Sequence, residues 1–128
     1  MTVRVLVVDD QAPFRMAATA VVEMTDDFEV VGEVESGEAA VTAAAELQPD
    51  LILMDVNLPG INGLEATRQI LDHAATGGSP VVVLVLSTYE AAEYAPRAAA
   101  AGAASYIPKS EFSPDRLTEA WEAARTAA

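Results

Sequence analysis

Short apolar runs alternate along the chain with stretches whose apolar residues recur at helical spacing. Val3–Val8 is broken only by Arg4 and reads as a strand buried on both faces. Ala12–Met24 carries helical spacing, with Pro13 suited to an opening turn. Phe28–Val34 is a second strand. Ser36-Gly37-Glu38 opens an alanine-rich helix through Leu47, Pro49 ends it, and Leu51–Met54 forms the third strand. Asn62 caps a third helix through about His73, with Leu64, Ile70 and Leu71 as its apolar contacts. Gly77-Gly78-Ser79 is a loop, and the valine-rich run Val81–Leu86 is the most strand-like in the chain. Glu90–Ala101 is a fourth helix closed by Gly102, Ser105–Ile107 a short fifth strand, and Ser113 or Asp115 begins a last helix through Ala124.

Five strand–helix units follow one another with no repeat, insertion or linker, so residues 1–128 are expected to form one domain. Strict alternation implies a parallel sheet with right-handed crossovers and helices on both faces. The expected class is therefore α/β, a flavodoxin-like (βα)5 doubly wound sheet of order 2-1-3-4-5. In such sheets ligands bind at the carboxyl ends of the strands, beside the switch point between strands 1 and 3.

Composition narrows the function classes. The 128 residues are 52% hydrophobic, and with no cysteine there is neither a disulfide framework nor a thiolate metal site. No apolar run reaches the roughly 20 residues of a membrane span, and Met1 leads almost directly into a strand, so the expected location is the cytoplasm and no membrane partner is foreseen. The net charge of −13 argues against these residues gripping a nucleic-acid backbone.

The chemistry gathers at the strand ends. LILMDVNLPG runs four apolar residues into Asp55 and then turns at Pro59-Gly60. Strand 1 delivers Asp9 and Asp10, strand 4 Ser87 and Thr88, and Lys109 stands just past strand 5. Three carboxylates so close cannot all ionise without a cation between them. An oxygen-only set suits Mg²⁺, held by Asp10, Asp55, Asp9 through water, and the backbone carbonyl of Asn57. Each residue also has an ordinary reading: Asp9-Asp10 as a helix cap, Asp55 as a turn residue bonding its own backbone, Ser87-Thr88 as a cap, Lys109 as a solvated loop residue. Their shared position at one end of successive strands favours a site. His73, the sole histidine, is read as an exposed residue late in the third helix, and Trp121 as packing the last helix on the sheet.

DD after strand 1, LMDVNLPG at strand 3, LST at strand 4 and YIPKS after strand 5 resemble the receiver domain of two-component response regulators. LILMDVNLPGINGLEATRQI, LSTY and AAGAASYIPKS are most similar to receivers of nitrate/nodulation-type helix-turn-helix transcription regulators. The resemblance implies that Asp55 takes a phosphoryl group from a sensor histidine kinase, while Lys109, Ser87 and Thr88 bind the phosphate. It implies that Tyr106 turns inward as Ser87 moves, altering the Glu90–Ala124 face, with a phosphorylation-dependent homodimer as one output. The domain would act as a signalling phosphoacceptor that catalyses only its own modification. DNA would be met only through a domain lying beyond Ala128, the alternative being a receiver that stands alone.

Two features depart from the family pattern. Many receivers place proline directly after the lysine; here Ser110 follows Lys109, and a cis Lys109–Ser110 bond would cost roughly 2.5–4 kcal/mol, so the reach of Lys109 is in question. Bulky Tyr89 is expected, with Asn57, to flank the path of hydrolytic water and lengthen the life of the phosphate. Competing functions fit less well. An Asp-x-Asp hydrolase would need an acid where Asn57 stands, and a flavodoxin-type cofactor binder would need a phosphate loop where DDQAPF stands. A phosphorylation-independent interaction module of the same fold is the remaining alternative.

Overall fold

The computed structural model describes residues 2–88 and 91–126, with the backbone alone for residues 91, 92 and 126. Five parallel strands, β1 (Val3–Val8), β2 (Phe28–Val34), β3 (Leu51–Asp55), β4 (Val82–Ser87) and β5 (Ser105–Pro108), form one sheet of order β2-β1-β3-β4-β5. Between and after them run α1 (Ala12–Glu23), α2 (Gly37–Leu47), α3 (Gly63–Ala75), α4 (Ala91–Ala101) and α5 (Pro114–Thr126). The expected strand order is the one observed.

Side-chain alternation along each strand divides the core in two. Leu6, Val8, Ile52, Met54, Val83 and Val85 face a layer that includes Ala40 of α2, Leu64 and Ile70 of α3, and Ala98 of α4. The intervening Val5, Val7, Leu51, Leu53, Leu84 and Leu86 face Ala18 and Val22 of α1 and Leu117 of α5. Both faces are covered, which is why these strands read as unbroken apolar runs. Residues such as Ile52, Leu53 and Met54 are fully buried, each contributing about 1.5–3 kcal/mol by leaving water. Trp121 packs the last helix as expected, its ring edge-on to Phe28 at 6.4 Å. His73 is exposed in the last turn of α3, also as expected.

Strand register aligns the ends that matter. Val8 pairs with Met54, Asp55 with Leu86, and Ser87 with Pro108. The two polar residues therefore belong to the strands themselves, one residue beyond the apolar runs, because ladder pairing with β4 and β5 continues that far. β2 lies at the far edge, next to β1 alone. Its pairing with β1 shifts between Val5 and Leu6, so Val31 is the extra residue that bends this edge.

Candidate functional site

Each rim residue is held by local chain geometry. After β1, Asp9 Oδ1 accepts the Gln11 N–H at 2.9 Å, an Asx turn that stops the strand and aims the chain into α1. Gln11, whose side chain makes no capping bond, is the N-cap, and Pro13 occupies the first turn. The Arg15 guanidinium fastens the turn from the helix side: it donates to the Asp9 carbonyl at 2.8 Å and lies 3.5 and 3.3 Å from the Glu33 and Glu35 carboxylates. Asp9 therefore does take part in opening α1, and both its carboxylate oxygens already have protein donors.

The loop after Asp55 is pinned at both ends. Val56 and Leu58 are buried, and Gly60 takes a φ of 74°, a backbone region that glycine enters without strain. Asn62 caps α3 by accepting the Glu65 N–H at 2.9 Å. Gly63 donates to the Val56 carbonyl at 2.9 Å, and a Cβ there would overlap the Asp55 carbonyl oxygen. Only glycine lets the start of α3 close on the end of β3. From α2, Glu38 accepts the Ile61 N–H at 3.1 Å and ties the loop to the neighbouring helix.

At the other side of the rim, Lys109 opens a single 3-10 turn, Lys109–Glu111. Among the described residues no peptide bond is cis, and the ammonium still reaches across the sheet ends. Lys109 Nζ donates to Asp9 Oδ2 at 2.7 Å and lies 3.6 Å from Asp55 Oδ1. Asp9, Asp10 and Asp55 each offer a carboxylate oxygen within 4.8 Å of the others. Asp55 is 5% exposed, whereas Asp10 stands open to solvent.

The charges do not balance. Burial, the adjoining Asp9 carboxylate and, less strongly, Asp10 raise the Asp55 pKa from 3.8 to about 6. The Lys109 ammonium and a backbone hydrogen bond from Asn57 restrain the rise. Two flanking aspartates outweigh one lysine, and a hard divalent cation would relieve the remainder. The donor set fits Mg²⁺: three carboxylates, two of them buried and one open to water, with no nitrogen or sulfur ligand among them.

The remaining expected residues are placed as follows. Ser87 is buried at the end of β4, and Thr88 is exposed just beyond it. The Asn57 side chain is exposed. Tyr106 is half-buried on β5 and packs on the α2–α3–α4 side of the sheet. Tyr89 and Glu90, named above for water access and as the start of the fourth helix, lie outside the described residues. Two residues went unnoticed in the sequence. Arg15 had a signal: it is one of two charged residues in α1, six positions after Asp9. Phe14, whose ring centroid lies 4.0 Å from Lys109 Nζ, had none beyond being apolar.

The response regulator receiver domain family model matches residues 5–122. The chain belongs to that family. This receiver domain is 41% identical over 107 residues to the response regulator GacA of Pseudomonas viridiflava, a match covering 84% of this chain and 48% of that protein. It is 38% identical over 109 residues to a protein-glutamate methylesterase/protein-glutamine glutaminase of Idiomarina loihiensis, covering 85% of this chain and 28% of the other. A crystal structure of a LuxR-family two-component response regulator from Aurantimonas superposes with a TM-score of 0.84 at 31% identity, covering 96% of this chain and 84% of that one. The chain spans about half or less of the length of these two curated relatives. The relatives that carry such a domain thus include both response regulators and a protein-glutamate methylesterase/protein-glutamine glutaminase. Among the described residues no helix is long and apolar enough to cross a membrane.

Proposed function

We propose that Asp55 is the phosphoacceptor of this receiver domain and that the donor is the phosphohistidine of a sensor histidine kinase. The observation that carries this reading is the convergence of Asp9, Asp55 and the Lys109 ammonium within hydrogen-bonding or near-contact distance at one sheet edge. In the transfer an Asp55 carboxylate oxygen forms a bond to phosphorus. The phosphorus–nitrogen bond to imidazole breaks, its electron pair stays on nitrogen, and the acylphosphate is left on the protein. Lys109 neutralises charge on the phosphoryl oxygens, and the Ser87 hydroxyl, with backbone N–H groups near Asn57 and Thr88, supplies donors to them. A Mg²⁺ held by Asp10, Asp55 and the Asn57 carbonyl, with Asp9 nearby, would supply the cationic charge this crowded rim lacks.

Asp55 lies at the floor of the rim, so the donor must enter from the side that Asp10 and Thr88 leave open. Phosphate on Asp55 draws Ser87 inward and lets Tyr106 follow, reshaping the α4–β5–α5 face. That face signals onward, with homodimerisation as one route, and the domain performs no catalysis beyond its own modification and its reversal. Similarity to the transcriptional regulatory protein DegU of Brevibacillus brevis, 37% identical over 118 residues, supports transcription as the output of the parent protein, and the cytoplasm is its proposed location. DNA contact then belongs to another part of that parent, because a net charge of −13 is unsuited to a phosphate backbone.

Incubation with acetyl phosphate and Mg²⁺ should add one phosphoryl mass to the chain and change Trp121 fluorescence. Asp55→Asn should do neither. An equal response from that variant would remove the assignment.

A further inference from the structure

The Lys109 side chain is 8% exposed although it sits in a surface turn. Carboxylates hold it on one side: Asp9 Oδ2 at 2.7 Å and Asp55 Oδ1 at 3.6 Å. On another lies the Phe14 ring, its centroid 4.0 Å from the ammonium. The ring belongs to the first turn of α1 and is itself 37% exposed. Phe14, Leu86 and Phe112 form part of the apolar wall of a cleft of about 110 Å³ into which Asp9 and Lys109 also open. A four-carbon chain with a hydrated head group does not hold such a place unaided. Lysine has many rotamers, and water competes for its ammonium.

We infer that Phe14 is a positioning residue for Lys109, its aromatic face holding the ammonium over the Asp9–Asp55 edge and keeping water from that side. This rests on the role proposed above for Lys109. A cation–π contact remains attractive out to roughly 6 Å from the ring centroid. The ring can therefore stay with the ammonium through the small movement from the carboxylates to an incoming phosphoryl oxygen. An aliphatic residue of similar bulk would fill the cleft without that attraction.

The test uses acetyl phosphate, so that no kinase surface is involved, with Mg²⁺ at saturation. Phe14→Leu should slow phosphorylation of Asp55 about fivefold, in keeping with the strength of such contacts, with the melting temperature unchanged. Phe14→Tyr should restore the rate. The Lys109 ε-methylene resonances should lose an upfield ring-current shift in Phe14→Leu and regain it in Phe14→Tyr. In a Lys109→Ala background, Phe14→Leu should have no further effect. A wild-type rate in Phe14→Leu, or the same fivefold loss without Lys109, would overturn the inference and leave the site's reading intact. If Lys109→Ala itself keeps the wild-type rate, the proposed role of Lys109 and this inference fall together.

Discussion

The two ends of the sheet treat charge in opposite ways. At the amino end Asp50 Oδ2 accepts the Arg4 N–H at 3.0 Å, and the Asp50 N–H returns a bond to the Arg4 carbonyl at 2.9 Å. The Arg4 guanidinium closes on the Gln48 carbonyl at 2.8 Å. The Asp50 carboxylate is thus held by a backbone N–H and the Arg4 guanidinium by a backbone carbonyl, with no second acid crowding either. At the carboxyl end three acids face one ammonium, and Asp55, one of the two buried acids, holds its proton up to about pH 6. The same strands build both ends, so the difference lies in the side chains at the strand termini. Unrelieved charge of this kind costs folding stability, which marks the carboxyl end as the place where a ligand or a modification has something to gain.

Removing the Lys109 ammonium should have the largest effect on that contrast. Lys109→Ala should slow phosphorylation by acetyl phosphate about 100-fold at saturating Mg²⁺, the scale of losing one preorganised charge at a transferring group. Stopped-flow Trp121 fluorescence would measure it. A loss under threefold would mean that the ammonium does not face the phosphoryl group.

Neutralising Asp55, which also removes the proposed phosphoacceptor, should have a smaller effect on stability, and in the stabilising direction. Because the folded protein binds the Asp55 proton more tightly than the unfolded chain, wild-type stability falls as pH rises from about 4 through about 6. Asp55→Asn should therefore be more stable than wild type at pH 7 without metal, by about 2 kcal/mol after allowance for solvent screening. The gain should vanish near pH 3.5. Urea titrations across that range, in EDTA, give the comparison. Adding Mg²⁺ should stabilise wild type more at pH 7.5 than at pH 5, because at the lower pH Asp55 carries its proton. A variant less stable than wild type at pH 7 would show that the rim is not under charge strain.

The smallest effect belongs to the balanced end. Asp50→Ala should cost about 1 kcal/mol by leaving the Arg4 N–H without its acceptor, and should leave the phosphorylation rate unchanged. A slowed rate would mean that the two ends of the sheet are coupled.

Much of this was legible in the chain because a parallel strand buried on both faces leaves a plain trace. VRVLVV running into Asp9-Asp10, and LILM into Asp55, put acids at strand ends with no further information needed. Exact ends were less legible: Asp55 and Ser87 are polar, yet pairing with the adjacent strand keeps each in the ladder. The rim position of Lys109 was legible, but the contacts that hold it there were not. Its bond to Asp9 spans 100 residues, and α1 is apolar almost all round, so nothing in APFRMAATAVVE shows which way Phe14 faces. Asp9 was expected to act toward a metal through water. That its two oxygens are taken by Gln11 and Lys109 emerges only when turn and sheet are seen together.

Reduction with borohydride after treatment with a phosphodonor and Mg²⁺ offers the most direct test, because it converts an aspartyl phosphate to homoserine at the modified position. Peptide mass spectrometry should find homoserine at position 55 and at no other aspartate or glutamate. An unmodified Asp55 beside a modified Asp9 or Asp10, or no modified acid from any donor, would contradict the account.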